Sequence, residues 1–488
     1  MSTDATDATD ATKADGTSAA APSTGSSPAA DGPPTDRLGA NYFKLFGAST
    51  ISNLGDGIGA IAYPWLASAV TRNPLLIALV AVVQRLPWLV FSLPAGVITD
   101  RMSRRTLMIR ANAARFVLTL GIAFVVLGKQ DALPGPDELS ADAAAAIDDA
   151  ALYVAIIVAT LLLGIAEVFY DNAAQTFMPS IVHKDNLEKA NGRLWSTEQV
   201  ANTFAGPPLA ALLLAVAFSL PFYVDAATFL VSALLVAAIP AAVADRHTTT
   251  SAPATGQPAA EPATPDWKAE LKAGFSWLWQ HELLRPMAII LGVLNALGMM
   301  SFAVLVLFAQ EVLETSPTEF AIMNFGGAIG GIVGGWTASN IAKRIGSGPS
   351  LWLTLLGGAT TTFAIGLFNS WIGPMIMFAV YTLLAVLWNV ITVSLRQTII
   401  PDQLLGRVNS VYRFFAWGMM PIGSLLGGGI VAVTDALGDR ELSLRMPFFI
   451  AGALHVVLFA FAAPKLTTAK IDAARDAAGD GDAPTATG

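Results

Sequence analysis

The chain has 488 residues, of which 54% are hydrophobic and 13% are charged, and its mean hydropathy is +0.57. Soluble proteins usually carry about a quarter charged residues, so a chain this apolar needs a lipid bilayer around most of its surface. The net charge of −8 opposes binding to nucleic acid, and the lack of cysteine excludes disulfides and thiolate metal sites. The histidines are scattered and the sequence has no phosphate-binding loop, so we expect neither an enzyme nor an ATP-driven pump, and no metal or cofactor.

Polar segments flank and divide the apolar chain. Residues 1–41 are an acidic Asp/Ala/Thr repeat that passes into Ser/Gly/Pro, and residues 465–488 are similar, so both are predicted to be disordered cytoplasmic tails. Residues 245–284 form a linker whose first part is rich in Pro, Ala and Thr. The linker separates two predicted helical bundles, residues 42–244 and 285–464.

The linker ends in a segment with helical periodicity. Trp267, Leu271, Phe275 and Leu278 fall on one face of such a helix. The pattern fits a helix that lies in the membrane interface, and it fits a helix packed on its neighbours equally well.

Crossing ~30 Å of hydrocarbon takes about 20 apolar residues. The chain has twelve such stretches, six before the linker and six after it, so we predict an all-α integral membrane protein with twelve transmembrane helices. The predicted spans are 43–70, 74–98, 107–127, 151–173, 195–217, 221–243, 286–309, 319–341, 350–369, 372–394, 410–433 and 446–463.

The positions of the basic residues predict the orientation, because short cytoplasmic loops are enriched in Lys and Arg. With a cytoplasmic N-terminus, most of these residues fall in inner loops. The outer loops then hold only Arg72, Lys129, Arg440 and Arg445. We therefore predict a multi-pass protein of the cell (plasma) membrane with both termini in the cytoplasm.

The two halves of the chain share a repeated pattern. Gly192 and Pro207 recur as Gly406 and Pro421, each 214 residues later and without gaps. A constant offset indicates two duplicated six-helix units. Repeats of this kind build transporters whose substrate site lies between the halves.

The loop after the second span reads Gly96-Val-Ile-Thr-Asp100-Arg101-Met-Ser-Arg104-Arg105. It resembles the loop signature of the major facilitator superfamily, Gly-x-x-x-Asp-Arg-x-x-Arg-Arg. The resemblance implies a cytoplasmic gating motif, in which the glycine lets two helices approach and the charges latch the halves in one state. The alternative is a charge pattern that only sets the topology.

Other stretches resemble one branch of this superfamily, which contains enterobactin exporters and macrolide or multidrug efflux proteins. Among them are Gln84-Arg-Leu-Pro-Trp, Trp388-Asn-Val-Ile-Thr and Pro401-Asp-Gln-Leu-Leu-Gly-Arg. The resemblance implies a secondary carrier that works by alternating access and is usually driven outward by proton exchange.

Two positions depart from the family pattern. Gly206-Pro207 in the fifth span matches the helix bend of exporters, although alanines replace the glycines that usually follow. The equivalent loop of the second half has Ser339 where the first half has Asp100, which implies a weaker second latch.

Ionisable residues inside a span are costly unless they are paired or hydrated, so each is a candidate for function. By the helical rise, Asp56 and Arg85 both lie roughly 21–22 Å from the cytoplasmic side on consecutive helices. This predicts a pair or a shared hydrated cavity. A titrating acid beside a substrate-facing arginine and a static pair that fixes helix packing are about equally plausible interpretations.

The fourth span carries Glu167 and Asp171 one turn apart on one face. Two carboxylates so close repel each other when both are ionised, which suits a proton carrier. We favour the deeper Glu167 as the proton site, and Asp171 as the structural partner of Arg101 or Arg105 in the gating motif.

The remaining polar groups of the spans have weaker patterns. Glu198 is predicted to be structural, and Asp225 to lie at the interface at the outer end of the sixth span. Asn295 and Asn389 either line the substrate pathway or bond across helices.

The sequence therefore predicts an exporter of small amphipathic molecules, of the drug or siderophore class, that works by proton antiport as a monomer. Its expected partners are the small-molecule substrate, protons and the lipid bilayer, with no nucleic acid. The rivals are an importer or uniporter of a small metabolite, and a non-transporting membrane scaffold or sensor with the same fold.

Overall fold

The structure, a computed structural model, describes residues 38–135, 138–141, 147–183, 186–241 and 267–481. The predicted disorder of residues 1–41 lies almost entirely outside these ranges, as does the Pro-rich start of the linker.

Regular structure within the described residues is helical throughout. A π-helical turn, Val200–Ala205, joins α6 to α7. The helices are α1 (Ala40–Val70), α2 (Pro74–Arg101), α3 (Arg104–Gly128), α4 (Glu138–Ala141), α5 (Ala150–Ile181), α6 (Leu187–Gln199), α7 (Gly206–Leu214), α8 (Leu220–Ala237), α9 (Trp267–Gln280), α10 (Leu284–Phe302), α11 (Leu305–Glu311), α12 (Pro317–Ile345), α13 (Ser347–Ile365), α14 (Ile372–Ile399), α15 (Asp402–Asp435), α16 (Arg440–Ala462) and α17 (Thr468–Gly481).

Each predicted span overlaps one of these helices or consecutive ones. The fifth span comprises α6, the π-helical turn and α7, and the seventh comprises α10 and α11. Within the described residues, eight helical segments are long and apolar enough to cross a membrane by length and composition alone. The predicted all-α membrane architecture is confirmed.

The helices form two groups that correspond to the two halves of the chain. In the first, α8 packs against α1 and α3, and α5 packs against α2 and α3. In the second, α12 packs against α14, α10 against α15, and α13 against α16. The halves meet where α2 packs on α15 and α7 on α12.

Glycines bring α12 and α14 into close contact. A Cβ added at Gly326 would collide with the carbonyl oxygen of Met375, and one at Gly330 would collide with that of Ala379. Gly335, further along the same helix, has open space around it. The first two glycines are therefore required for helix packing, whereas the third is not.

The fifth span is interrupted where its prolines begin. Pro207 and Pro208 lack a backbone N–H and so cannot donate to the carbonyls of the preceding turn, and that turn is π-helical. Gly206 lies at the same point, where an added Cβ would collide with the backbone of Gly57 on α1. The bend thus coincides with a close crossing of two helices.

The helix at the end of the linker, α9, packs on its neighbours. Leu278 is buried, and Gly274 lies against the backbone of Arg407 at the start of α15. Phe275 and Trp279 instead stack on each other and are exposed. Of the two arrangements that the sequence allows, packing on neighbours is present, and the helix retains an aromatic outer face.

The structure differs from the predicted disorder of residues 465–488, because Thr468–Gly481 forms α17. This helix packs against α13 and α14. Leu466 and Ile471 are completely buried, and the Thr468 hydroxyl accepts a hydrogen bond from the backbone of Gly348 at 3.2 Å. The segment is mostly polar, but Leu466 and Ile471 are apolar and buried. Burial of these two side chains is enough to pack a short helix against the larger bundle.

Candidate functional site

A cavity of about 280 Å³ lies between the two halves of the bundle. Five helices of the first half each supply one charged side chain to its wall: Asp56, Arg85, Arg115, Glu167 and Asp225. The remaining lining includes aromatic rings and amides from both halves, among them Tyr63, Trp88, Asn202, Phe302 and Asn324. The cavity is therefore charged on one side and amphipathic elsewhere.

An ion pair between Asp56 and Arg115 joins α1 to α3 beside this cavity. The Arg115 side chain is only 2% exposed. It also donates to the Ser52 hydroxyl at 3.1 Å, and its guanidinium lies 3.9 Å from the ring centre of Phe229. A buried arginine with these contacts is held in place, so Asp56 is fixed against it.

Of the two arrangements predicted for Asp56 and Arg85, the direct pair is wrong, whereas a cavity shared by the two residues is present. Arg85 lines the same cavity but is exposed, and the contact to Asp56 is made by Arg115. Two residues at equal depth in the membrane contact each other only when the helix faces that carry them are turned towards each other. The helices α1 and α3 both pack closely on α8, whereas α1 and α2 touch little, and this brings Arg115 to the acid.

Sequence reasoning missed Arg115, although a signal was present. The residue lies in the middle of the predicted third span, and the rule that singled out Asp56, an ionisable group inside a span, applies to it equally.

Asp225 is also placed differently from its prediction. It lies near the start of α8, and the residue is only 3% exposed, so it is buried rather than interfacial. Gly55 on α1 leaves room for it, since a Cβ at Gly55 would collide with its carboxylate. This glycine is the sequence feature on α1 that permits the burial.

Glu167 lines the cavity, as predicted for a residue of the transport pathway. Asp171 is half-buried one turn further along α5, and it does not line the cavity wall. Both acids lie close enough to Arg115 to interact with it electrostatically. The role of Glu167 in proton transfer stays a prediction.

The arginines of the gating motif contact backbone carbonyls. Arg104 donates to the carbonyl of Thr176 at 3.0 Å. Arg105 donates to the carbonyls of Ala237 at 2.6 Å and Ile239 at 2.7 Å. Arg105 therefore caps the end of α8.

Among the described residues, Asp171 forms no ion pair with Arg105, whose guanidinium instead contacts the end of α8, and the alternative pairing of Asp171 with Arg101 stays a prediction. Gly96, Asp100 and Arg101 lie in the last turns of α2, and their side chains fall outside the described part of the structure.

Asn295 and Asn389 belong to a separate cavity. This cavity, of about 80 Å³, lies within the second half and is also lined by Trp388 and His455. Asn295 donates across helices to the carbonyl of Ala416 at 2.9 Å. The structure thus does not bring these amides together with Asp56.

A second group of charges joins the halves at the end of the bundle where α1 gives way to α2, called here the Arg72 end. Glu311 of α11 is 7% exposed and contacts two arginines. Arg440 donates to it through two nitrogens, at 2.8 and 3.1 Å, and Arg72 lies 3.5 Å away. Because Arg72 belongs to the first half and Glu311 and Arg440 to the second, these three residues form a latch, the Arg72 latch.

Two further contacts support the Arg72 latch. Gln310 is completely buried and contacts Arg72 while donating to Ser68 at 2.9 Å. Arg72 also donates to the carbonyl of Leu139 in α4 at 2.7 Å. The short helix α4, which follows α3 in the chain, therefore helps to hold the latch.

Aromatic pairs continue the contact between the halves towards the cavity. The rings of Trp88 and Trp417 lie 5.2 Å apart, and those of Phe204 and Phe325 lie 4.9 Å apart. Closer to the Arg72 end, Gly428 packs against the backbone of Pro74. The halves are thus in contact from the latch to the level of the cavity.

Known proteins are similar to this chain in sequence and in fold. The chain is 24% identical over 411 residues to the enterobactin exporter EntS of Shigella boydii, covering 82% of this chain and 88% of that protein. A variant of the nucleoside transporter NupG superposes with a TM-score of 0.64 at 11% identity, over 88% of this chain and 100% of the other. A bacterial homologue of the iron transporter ferroportin, in an inward-facing state, gives 0.63 at 15% identity over 87% and 98%.

The sequence profile of the Major Facilitator Superfamily matches residues 45–421. This match covers most of the chain, and it agrees with the helix arrangement and with the cavity between the two halves. The chain is a member of the major facilitator superfamily and a multi-pass membrane transporter.

Proposed function

We propose that this protein exports small amphipathic molecules of the drug or siderophore class by alternating access, in exchange for protons. The main observation in support of this proposal is the cavity between the halves. Its wall combines charged groups with aromatic rings such as Tyr63 and Trp88, which suits a substrate with both polar and apolar parts. The similarity to a protein named as an enterobactin exporter favours the outward direction.

Alternating access requires that only one end of the cavity be open at a time. The Arg72 latch and the contact of Gly428 with Pro74 close one end. The excess of basic residues in the opposite loops supports a cytoplasmic location for the other end. On this basis we infer an inward-facing state in the plasma membrane, with both termini cytoplasmic.

The charges of the cavity support proton exchange. Three carboxylates, Asp56, Glu167 and Asp225, face two guanidinium groups, Arg85 and Arg115. One proton would balance the remaining negative charge, which is costly inside the membrane unless it is paired or hydrated. Because Asp56 is paired with Arg115, we assign the proton to Glu167 and the substrate-sensitive contact to the Asp56–Arg115 pair.

The remaining assignments follow from this scheme. The bundles 42–244 and 285–464 rock against each other as a monomer, the motif from Gly96 to Arg105 gates the cytoplasmic end, and the bend at Gly206 and Pro207 lets the fifth span flex.

The test is transport by the purified chain in liposomes, with an imposed pH gradient and a panel of dyes, macrolides and siderophores. We expect Glu167→Gln to abolish gradient-driven accumulation while sparing exchange of substrate across the membrane. Glu198→Gln is the matched control, because that carboxylate accepts a hydrogen bond from Ser49 and does not line the cavity.

Three outcomes would contradict the proposal. Wild-type accumulation by Glu167→Gln would remove the proton assignment and make Asp56 the next candidate. Movement of substrate only in the inward direction, or without a response to the pH gradient, would favour an importer or a uniporter. No transport of any compound by the wild-type chain would favour a scaffold or sensor.

A further inference from the structure

A second, larger cavity lies at the end of the bundle opposite the Arg72 latch. Its volume is about 870 Å³. It is bounded by the start of α10, the ends of α14 and α16, and α17. It has no residue in common with the cavity between the halves, so it is a distinct site.

The cavity is basic. Arg285, Lys465 and Lys470 line it, and the acid among its lining residues is Glu282. Two of the cations come from the segment after α16 and one from α10, so they approach from different walls. Three positive charges against one negative charge suit an anion.

Each cation retains hydrogen-bond donors for a ligand. Lys465 donates to the carbonyl of Phe461 at 3.2 Å, and Lys470 donates to that of Pro464 at 2.8 Å. Arg285 donates to the carbonyl of Trp279 at 3.1 Å. An ammonium group has three N–H donors and a guanidinium group has five, so these backbone contacts position the side chains without exhausting them.

The cavity also has an apolar wall. Leu283, Pro286, Ile289 and Ile399 line it between the cations. Phe461 also lines it and is 44% exposed. Apolar side chains at the end of the spans offer a surface to acyl chains, so the cavity combines an anion-binding part with a surface for hydrocarbon.

We propose that this cavity binds the phosphate of an anionic phospholipid, with the acyl chains against Ile289 and Phe461. Basic pockets between the ends of transmembrane helices bind such headgroups. A soluble phosphate compound would use the cations but gain nothing from the apolar wall. The equivalent arginines at the other end, Arg72 and Arg440, are already paired with carboxylates, both with Glu311 and Arg440 also with Asp435, so the two ends differ in their capacity to bind an anion.

Native mass spectrometry of the purified full-length chain tests the proposal, with phosphatidylglycerol and phosphatidylcholine of the same acyl chains. We expect phosphatidylglycerol to bind more tightly. Lys465→Gln combined with Lys470→Gln should weaken its binding roughly 25-fold, about fivefold for each cation removed. The matched control is Lys343→Gln combined with Arg344→Gln, which removes the same charge from exposed residues outside the cavity.

A second pair of measurements separates a binding defect from a displaced α17. Arg285→Gln changes the opposite wall, and Ala473→Phe fills the cavity without changing its charge. Both should also weaken binding of phosphatidylglycerol, and both leave Lys465 and Lys470 in place. Retention of full affinity by both variants would overturn the proposal.

Other outcomes would also overturn it. Equal binding of the two lipids, or an equal loss in the Lys343/Arg344 control, would indicate general surface attraction. Competition by glycerol phosphate at the concentration of the lipid would make the cavity a site for soluble phosphate compounds. None of these measurements depends on transport, so failure here is distinct from failure of the proposed function.

Discussion

Arg72 and Glu311 belong to different halves of the protein, and their side chains lie 3.5 Å apart at one end of the bundle. Glu311 also receives two hydrogen bonds from Arg440. Arg440 belongs to the same half as Glu311, so separation of the halves takes only the Arg72 guanidinium away from this almost entirely buried carboxylate, which is costly. We therefore expect the strength of the Arg72 latch to set how often this end of the transporter opens.

Replacing Glu311 with Gln should weaken the latch and favour the state in which the Arg72 end is open. The chain has no cysteine, so a Ser68→Cys background provides a single thiol at a buried position next to Gln310. We expect Glu311→Gln in this background to raise the rate at which an impermeant reagent labels the introduced thiol in intact cells. The expected increase is roughly tenfold, within the range of typical coupling energies.

Glu314→Gln is the control for this experiment, because Glu314 is exposed and lies three residues beyond the latch. Equal labelling in the two variants would show that the latch does not hold this end closed. Labelling only from the cytoplasmic side would instead reverse the proposed orientation.

The Asp56–Arg115 pair gives a prediction about stability. Arg115→Gln leaves a largely buried carboxylate without its partner, which should reduce the free energy of unfolding by about 3 kcal/mol. Arg85→Gln should change it by less than about 1 kcal/mol, because Arg85 is exposed and is not the partner of Asp56. Thermal unfolding in detergent measures both.

The double variant Asp56→Asn with Arg115→Gln separates loss of the pair from loss of arginine packing on Phe229. It should recover part of the lost stability, since it removes the unpaired charge. A cost for Arg85→Gln as large as that for Arg115→Gln would contradict the assignment.

The sequence was sufficient to predict the membrane-spanning helices, and it was insufficient to predict α17 or the contacts between helices. Each span follows from about 20 apolar residues, a property of the local chain. The partner of Asp56 depends instead on which faces of α1 and α3 are turned towards α8. The depth of a residue in the membrane does not reveal this. The burial of Asp225 on α8 depends on the space left by Gly55 on α1. It therefore follows from the packing of two helices and not from either sequence segment alone.

The sequence was likewise insufficient to predict the contacts of the Arg72 latch. Arg72 and Arg440 were recognised in the sequence only as outer-loop charges. Glu311 lies hundreds of residues from Arg72, and no local pattern links them. Only the approach of α11 to the α1–α2 junction brings these charges together, and this depends on the packing of two bundles.

The glycines of α12 allow a matched comparison on one helix. Gly330→Ala should destabilise the protein, because the added methyl group would collide with the carbonyl oxygen of Ala379. Gly335→Ala meets open space, and it should stabilise the helix by about 0.5–1 kcal/mol. Thermal unfolding of the two variants beside the wild type checks this, and equal changes would contradict the assigned packing.

His281 gives a prediction about pH. Its Nδ1 accepts hydrogen bonds from the backbone N–H groups of Leu283 and Leu284, both at 3.2 Å, so it must be unprotonated there. Burial lowers the pKa of His281, and the charge of Glu282 only partly opposes this effect. The folded state therefore binds a proton less readily than the unfolded state, in which the pKa is about 6.5.

Stability from the neutral form of His281 is fully present above about pH 6.5, and it is lost as the pH falls from there through the lowered pKa of the folded state. His281→Asn keeps an acceptor for the same N–H groups but cannot titrate. We therefore expect the midpoint of thermal unfolding of the wild type to decrease, relative to that of the variant, as the pH is lowered from about 7.5 to about 5. A constant difference between the two proteins over this range would mean that His281 does not titrate with folding, and a difference that grows in the opposite direction would mean that its pKa is raised.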